Sequence, residues 1–122
     1  MLWGKRKMPI LINAEDVKAA QGEGWTQLTV ADAELIGAPA MVTRHWIFEA
    51  EAQGPTLEQG DTDQLLYVIR GGGKAIVNGE EMPLTSESVL WVEPGERYQF
   101  VAGEDGLEIL QGYAPGDEER KK

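Results

Sequence analysis

The stretch from Gln64 to Phe100, QLLYVIRGGGKAIVNGEEMPLTSESVLWVEPGERYQF, constrains the fold more than any other part of the chain. QLLYVIR is β-branched and aromatic and reads as a strand that stops at Gly71-Gly72-Gly73. KAIVNGEE alternates and then turns at Asn78-Gly79, a dipeptide that suits the positive φ angles of a tight hairpin. SVLWV is a third apolar run, closed by Pro94-Gly95. No helical period fits this stretch, so it predicts an all-β antiparallel meander.

The flanks extend the pattern. WTQLTV is a strand candidate, ADAELIGAPA a connection, and MVTRHWIFEAEA alternates clearly. In that last segment Val42, Arg44, Trp46 and Phe48 share one face and Met41, Thr43, His45 and Ile47 the other; parity alone does not say which face is inside. The loop QGPTLEQGDTD precedes the central stretch; after it VAGEDG reads as a turn and LEILQGY as the last strand. Near the amino terminus, PILI is an edge-strand candidate. Asn13 can cap a helix whose first turn holds Glu15 and Asp16, where the helix dipole favours anions. That short helix is expected to end near Gln21-Gly22.

A chain of 122 residues makes one domain, with a core over about residues 24–114 and flexible ends at about 1–8 and 116–122. The formal charge is −10, and residues 9–116 hold 18 acidic against 5 basic side chains, a net of −13. Such a body repels phosphate backbones, which argues against nucleic acid as a partner. No apolar run is long enough to span a bilayer, so no membrane partner is expected. MLWGKRKMPILI has no small-residue cleavage site and reads as an ordinary amino terminus. The absence of cysteine removes disulfides and thiolate metal sites and fits a cytoplasmic protein.

The central stretch also resembles the cupin family. The first cupin motif runs His, one residue, His, three or four residues, Glu, six residues, Gly. Here Gln64 and Gly71 stand in the Glu and Gly slots, and LLYVIRGGG resembles the strand and turn that follow. The second motif runs Gly, five residues, Pro, one residue, Gly, two residues, His, three residues, Asn. Its slots hold Glu87, Glu93, Gly95, Tyr98 and Ala102. The resemblance spans Arg44 to Tyr113. It implies a jelly-roll barrel of two antiparallel sheets, with the one short N-terminal helix added, and a ligand cavity between the sheets where the two motifs face each other.

The resemblance keeps the scaffold and loses the chemistry. The family's metal needs three imidazoles and a carboxylate. The slots here hold Leu57 or Glu58, Gln59 or Gly60, Gln64 and Tyr98. Amides and a phenol are poor ligands at neutral pH, so no metal and no cofactor are expected unless Glu58, Asp61 or Asp63 supplies a non-standard set. The pocket can be polar without metal. Gln59, Gln64 and Tyr98 offer amide and phenol groups to a small organic ligand, and Trp46, Trp91 and Phe100 offer apolar walls, against the plainer reading of these aromatics as core.

His45 is the only histidine. Metal-free sugar epimerases of the cupin family use a His base and a Tyr acid, so the resemblance implies a possible acid–base pair of His45 and Tyr98; a lone strand His is more often a surface or satisfied core residue. Arg44 and Arg70 are candidate clamps for a carboxylate, with a solvated strand face as the preferred reading. The leading expectation is a barrel that binds a small organic molecule without a transition metal. The alternatives are a metal-independent isomerase, epimerase or lyase using His45 and Tyr98, and a degenerate barrel with a structural or protein-interaction role. The family's habit of pairing through one sheet implies a homodimer.

Overall fold

The computed structural model describes residues 17–31, 42–58, 60 and 62–113. They form eight strands: β1 (Lys18–Gly22), β2 (Trp25–Ala31), β3 (Val42–Phe48), β4 (Leu57–Glu58), β5 (Gln64–Val77), β6 (Glu80–Leu84), β7 (Val89–Val92) and β8 (Arg97–Tyr113). All pairings between them are antiparallel.

Two long strands carry the architecture. The first half of β5 and the second half of β8 pair with each other and with β7 and β3, and β2 and β1 continue beyond β3. The second half of β5 and the first half of β8 also pair, and are flanked by β6 and β4. Thus β5 and β8 each pass from one sheet to the other, which makes the two-sheet jelly-roll that the sequence predicts.

This differs in detail from the sequence reading. Gly71-Gly72-Gly73 does not end a strand, and VAGEDG is not a turn between strands; both lie within continuous strands. The glycines bend the strands instead. Gly71 has φ +82°, Gly106 +77°, and the pairing register shifts between Gly71 and Gly73. A Cβ on Gly71 would run into the carbonyl oxygen of Gly106, so the two bends nest against each other. The helix expected from Asn13 begins outside the described residues, and where it was expected to finish, Lys18–Gly22, the chain is strand. The proposed PILI strand, all of the ADAELIGAPA connection beyond Ala31, and the tail also lie outside the described residues.

Alternation sorts the side chains. Along β5, Gln64, Leu66 and Val68 are buried while Leu65, Tyr67 and Ile69 are exposed. On β3, Val42, Trp46 and Phe48 face the interior. An aromatic chain fills the middle: Trp25 lies 5.4 Å from Trp46, Trp46 stacks on Phe48 at 5.8 Å, Phe48 meets Phe100 edge-on at 6.1 Å, and Phe100 meets Tyr98 at 5.6 Å. Burying each large ring stabilises the fold by about 2–3 kcal/mol.

Candidate functional site

One end of the interior is polar. Strand register sets two adjacent inward-facing rows, Val92–Gln64–Tyr113–Val42 and Leu90–Leu66–Gln111–Arg44. Gln64 and Gln111 are 1% and 2% exposed. Tyr98 reaches the same place from the first half of β8 and is also buried.

The hydrogen bonds among these groups have a forced direction. The indole Nε1–H of Trp46 can only donate, and it donates to Gln111 Oε1 at 2.8 Å. The amide nitrogen of Gln111 therefore points the other way, donating to the Tyr98 hydroxyl at 3.1 Å and to Gln64 Oε1. Gln64 Oε1 is thereby used, and its Nε2 is left buried with no partner. The Tyr98 hydroxyl accepts from Gln111 and also has the Gln64 side chain against it. Arg44 donates from one terminal nitrogen to the Tyr113 hydroxyl at 2.8 Å and stacks over that ring, yet its Nε is buried without a partner. The two buried side-chain atoms of this site without a partner, Gln64 Nε2 and Arg44 Nε, are both donors.

Burial pushes the Tyr98 phenol above its ordinary value, outweighing the nearby Gln64 and Gln111 amides and the Arg44 charge, which pull it down. Tyr98 is thus a neutral hydrogen-bond donor at physiological pH.

The sequence-predicted residues divide cleanly. Gln64, Tyr98 and Trp46 come together around Gln111. Phe100 is 1% exposed within the aromatic core, behind Tyr98. Trp91 is not a pocket wall; it is 60% exposed on the outer face, paired with Leu65. His45 is not brought to Tyr98. It lies opposite the exposed Leu110 on the outer face of the sheet and contacts Glu108 at 3.0 Å, which Arg70 also pairs. Arg70 keeps its solvated reading, but Arg44 does not: it shares the interior face with Trp46 and lies opposite Gln111. Gln59 and Asp61 lie outside the described residues. Gln111 is the residue that the sequence reading missed. Its signal is parity, since it continues the inward series Leu107, Ile109 in LEILQGY as a polar side chain.

These residues do not fit a transition metal. Neutral amide oxygens are poor transition-metal ligands, and those of Gln64 and Gln111 each already accept an N–H. Tyr98 stays protonated, and His45 faces outward. Among the described residues no group of three His, Asp or Glu side chains is arranged to hold an ion. A groove of about 250 Å³ at the β5–β6 turn is lined by Thr56, Ile76, Asn78, Arg97, Tyr98 and Gln99, but by neither glutamine of the polar cluster.

The outer face of the larger sheet is apolar. Trp91, Leu65 and Gly112 form one row, and Val89, Tyr67, Leu110 and His45 the next. Ile47 and Ile69 are exposed as well.

No family model matches the chain, and no curated protein matches it. Solved structures do. An RmlC-like cupin from Shewanella frigidimarina aligns at 18% identity with TM-score 0.69, covering 88% of this chain and 91% of that one. KdgF from a Halomonas species aligns at 21% identity with TM-score 0.68, covering 92% and 98%. The polyketide cyclase RemF from Streptomyces resistomycificus aligns at 19% identity with TM-score 0.70, covering 88% and 80%. Among the described residues, no helix is long and apolar enough to cross a membrane. With this strand order, these bends and these likenesses, the chain has the cupin fold.

Proposed function

We propose that the chain binds a small organic molecule inside the barrel, at the cluster of Gln64, Gln111 and Tyr98, without a transition metal. The observation that carries this reading is the Gln64 Nε2, fully buried and without a partner. Leaving such a group unpaired costs about 1–3 kcal/mol. Gln64 Oε1 serves Gln111, but its Nε2 serves nothing in the barrel, so that half of the amide is best explained by a ligand that completes it. The cupin fold of enzymes such as the polyketide cyclase is compatible with an interior site and does not select the activity.

The acid–base alternative needs a base that faces Tyr98. His45 lies on the other face of its strand, in an ion pair, which leaves that alternative without its base. The test is binding by chelator-treated protein. A screen of small organic compounds by thermal shift, with mass spectrometry of the extract from denatured protein, is expected to find a ligand. Binding is lost in Gln64→Leu and kept in His45→Ala. About one equivalent of zinc, nickel, iron or manganese in the purified protein, lost in Gln64→Ala, overturns the reading.

The outer apolar face supports a homodimer. Its seven large exposed side chains present on the order of 600 Å² of surface, at the upper end of what a monomer leaves to water and close to one side of a standard interface. The registered rows are uncharged except at the Glu108 cluster, which suits an isologous contact with a second copy. Light scattering at tens of micromolar is expected to give twice the chain mass, and Leu65→Lys with Trp91→Lys to halve it. A monomeric wild type refutes the assembly.

A further inference from the structure

The balance of donors and acceptors in the polar cluster narrows the ligand class. We propose that the site recognises a carboxylate, held by Gln64 Nε2, Arg44 Nε and the Tyr98 hydroxyl. This rests on the interior-binding reading above and adds the chemistry of the occupant.

The forced orientation of Gln111 is the first step. Because Trp46 claims its oxygen, Gln111 presents only N–H groups to Gln64 and Tyr98. That in turn fixes Gln64 with its oxygen used and its nitrogen spare. Of the atoms of these two amides, the one left without a partner is therefore a donor, Gln64 Nε2. The second step is Arg44. Its guanidinium is always charged. Among the described residues its partners are the hydroxyl and ring of Tyr113, and no carboxylate neutralises it. Gln64 pairs with Tyr113 across the β5–β8 register, and Arg44 pairs with Gln111 across β3–β8, so the two orphan donors occupy neighbouring rows of one face. Tyr98 remains protonated and therefore adds an O–H donor rather than a negative charge.

A ligand group that meets an uncompensated cation and several neutral donors must be acceptor-only and anionic. A carboxylate has two oxygens with about four lone-pair sites. A neutral amide or alcohol brings its own N–H or O–H, for which the site has only the remaining lone pairs of oxygens that already accept a bond, and it brings no charge to offset Arg44. A phosphate or sulfate meets the same donors with more charge than one guanidinium offsets, and costs more to desolvate.

The test is nuclear magnetic resonance on the full chain, reading the side-chain N–H signals of Gln64, Arg44 and Trp46. Sodium acetate is titrated against acetamide, its neutral isostere, at constant ionic strength held with sodium chloride. Acetate is expected to shift the Gln64 amide and Arg44 Nε–H signals saturably, and acetamide to bind at least tenfold more weakly. Arg44→Lys, which keeps the charge and loses the Nε–H, is expected to weaken acetate at least tenfold while the Trp46 indole signal stays in its folded position. Saturable shifts with acetamide but not acetate overturn the carboxylate and leave interior binding intact. Shifts with neither probe overturn the carboxylate; if the extract and compound screen also yield nothing, interior binding falls with it.

Discussion

Gln64 and Gln111 are the same residue type, almost equally buried, on paired strands, and replacing each by leucine should nonetheless have very different consequences. Gln111→Leu strips the partner from the Trp46 indole and from Gln64 Oε1, and removes the donor to the Tyr98 hydroxyl. At about 1–3 kcal/mol for each of the three buried groups affected, less about 1 kcal/mol returned by the apolar side chain, the net loss is at least about 2 kcal/mol. Gln64→Leu removes one acceptor from Gln111, whose amide keeps Tyr98, and at the same time removes an orphan donor. Those effects oppose each other, so ligand-free protein should change by no more than about 1 kcal/mol. Equilibrium urea unfolding followed by far-ultraviolet circular dichroism measures both. The double variant should cost less than the two singles together, because Gln64 Oε1 is no longer there to be orphaned. Equal losses in the two single variants, within about 0.5 kcal/mol, would refute the directed network.

Two further outcomes follow from the same structure. The raised pKa of Tyr98 means that the folded state holds this proton more tightly than the unfolded chain, so the associated stability is complete below the unfolded value near 10 and is lost as pH rises through the folded value. Wild type should therefore lose more stability than Tyr98→Phe between pH 8 and the strongly alkaline range, measured by urea midpoints; parallel curves refute the assignment. Gly71→Ala should cost at least about 2 kcal/mol, since it combines positive φ with a clash against the Gly106 carbonyl, and a change below about 0.5 kcal/mol would show that β5 can bend without it.

Most of the scaffold was legible because period-two alternation and turn dipeptides are local signals. Asn78-Gly79 does join β5 to β6, and Pro94-Gly95 follows β7. The glycine runs were misread because a strand that ends and a strand that bends use the same residue; only the partner strand distinguishes them, and Gly71 is explained by Gly106, far away in sequence. The site was half legible. Gln64 and Tyr98, which the structure places in the polar cluster, were singled out through the slots of the cupin motifs. Gln111 has no slot, and its role depends on Trp46 reaching it across paired strands. His45 and Trp91 were misplaced because alternation gives two faces without saying which is inside. The partners settle it: Leu110 opposite His45 and Leu65 opposite Trp91 are both exposed.

An acidic body and an anion-seeking interior are compatible because the two act over different distances. The acidic side chains of Glu49, Glu51, Glu80, Glu81, Glu87, Glu93, Glu104 and Asp105 are exposed. At physiological salt their fields are screened within about 8 Å. Inside the barrel, an uncompensated guanidinium about 4 Å from an anion contributes about 4 kcal/mol at an effective dielectric of 20, before the neutral donors are added. The near charge outweighs the far ones for any anion small enough to reach it. A polyanion such as a nucleic acid cannot enter and meets only the acidic exterior. On the proposed reading, the same charge distribution would disfavour phosphate backbones at the surface and admit a single carboxylate to the interior, and the sorting would depend on size as much as on sign.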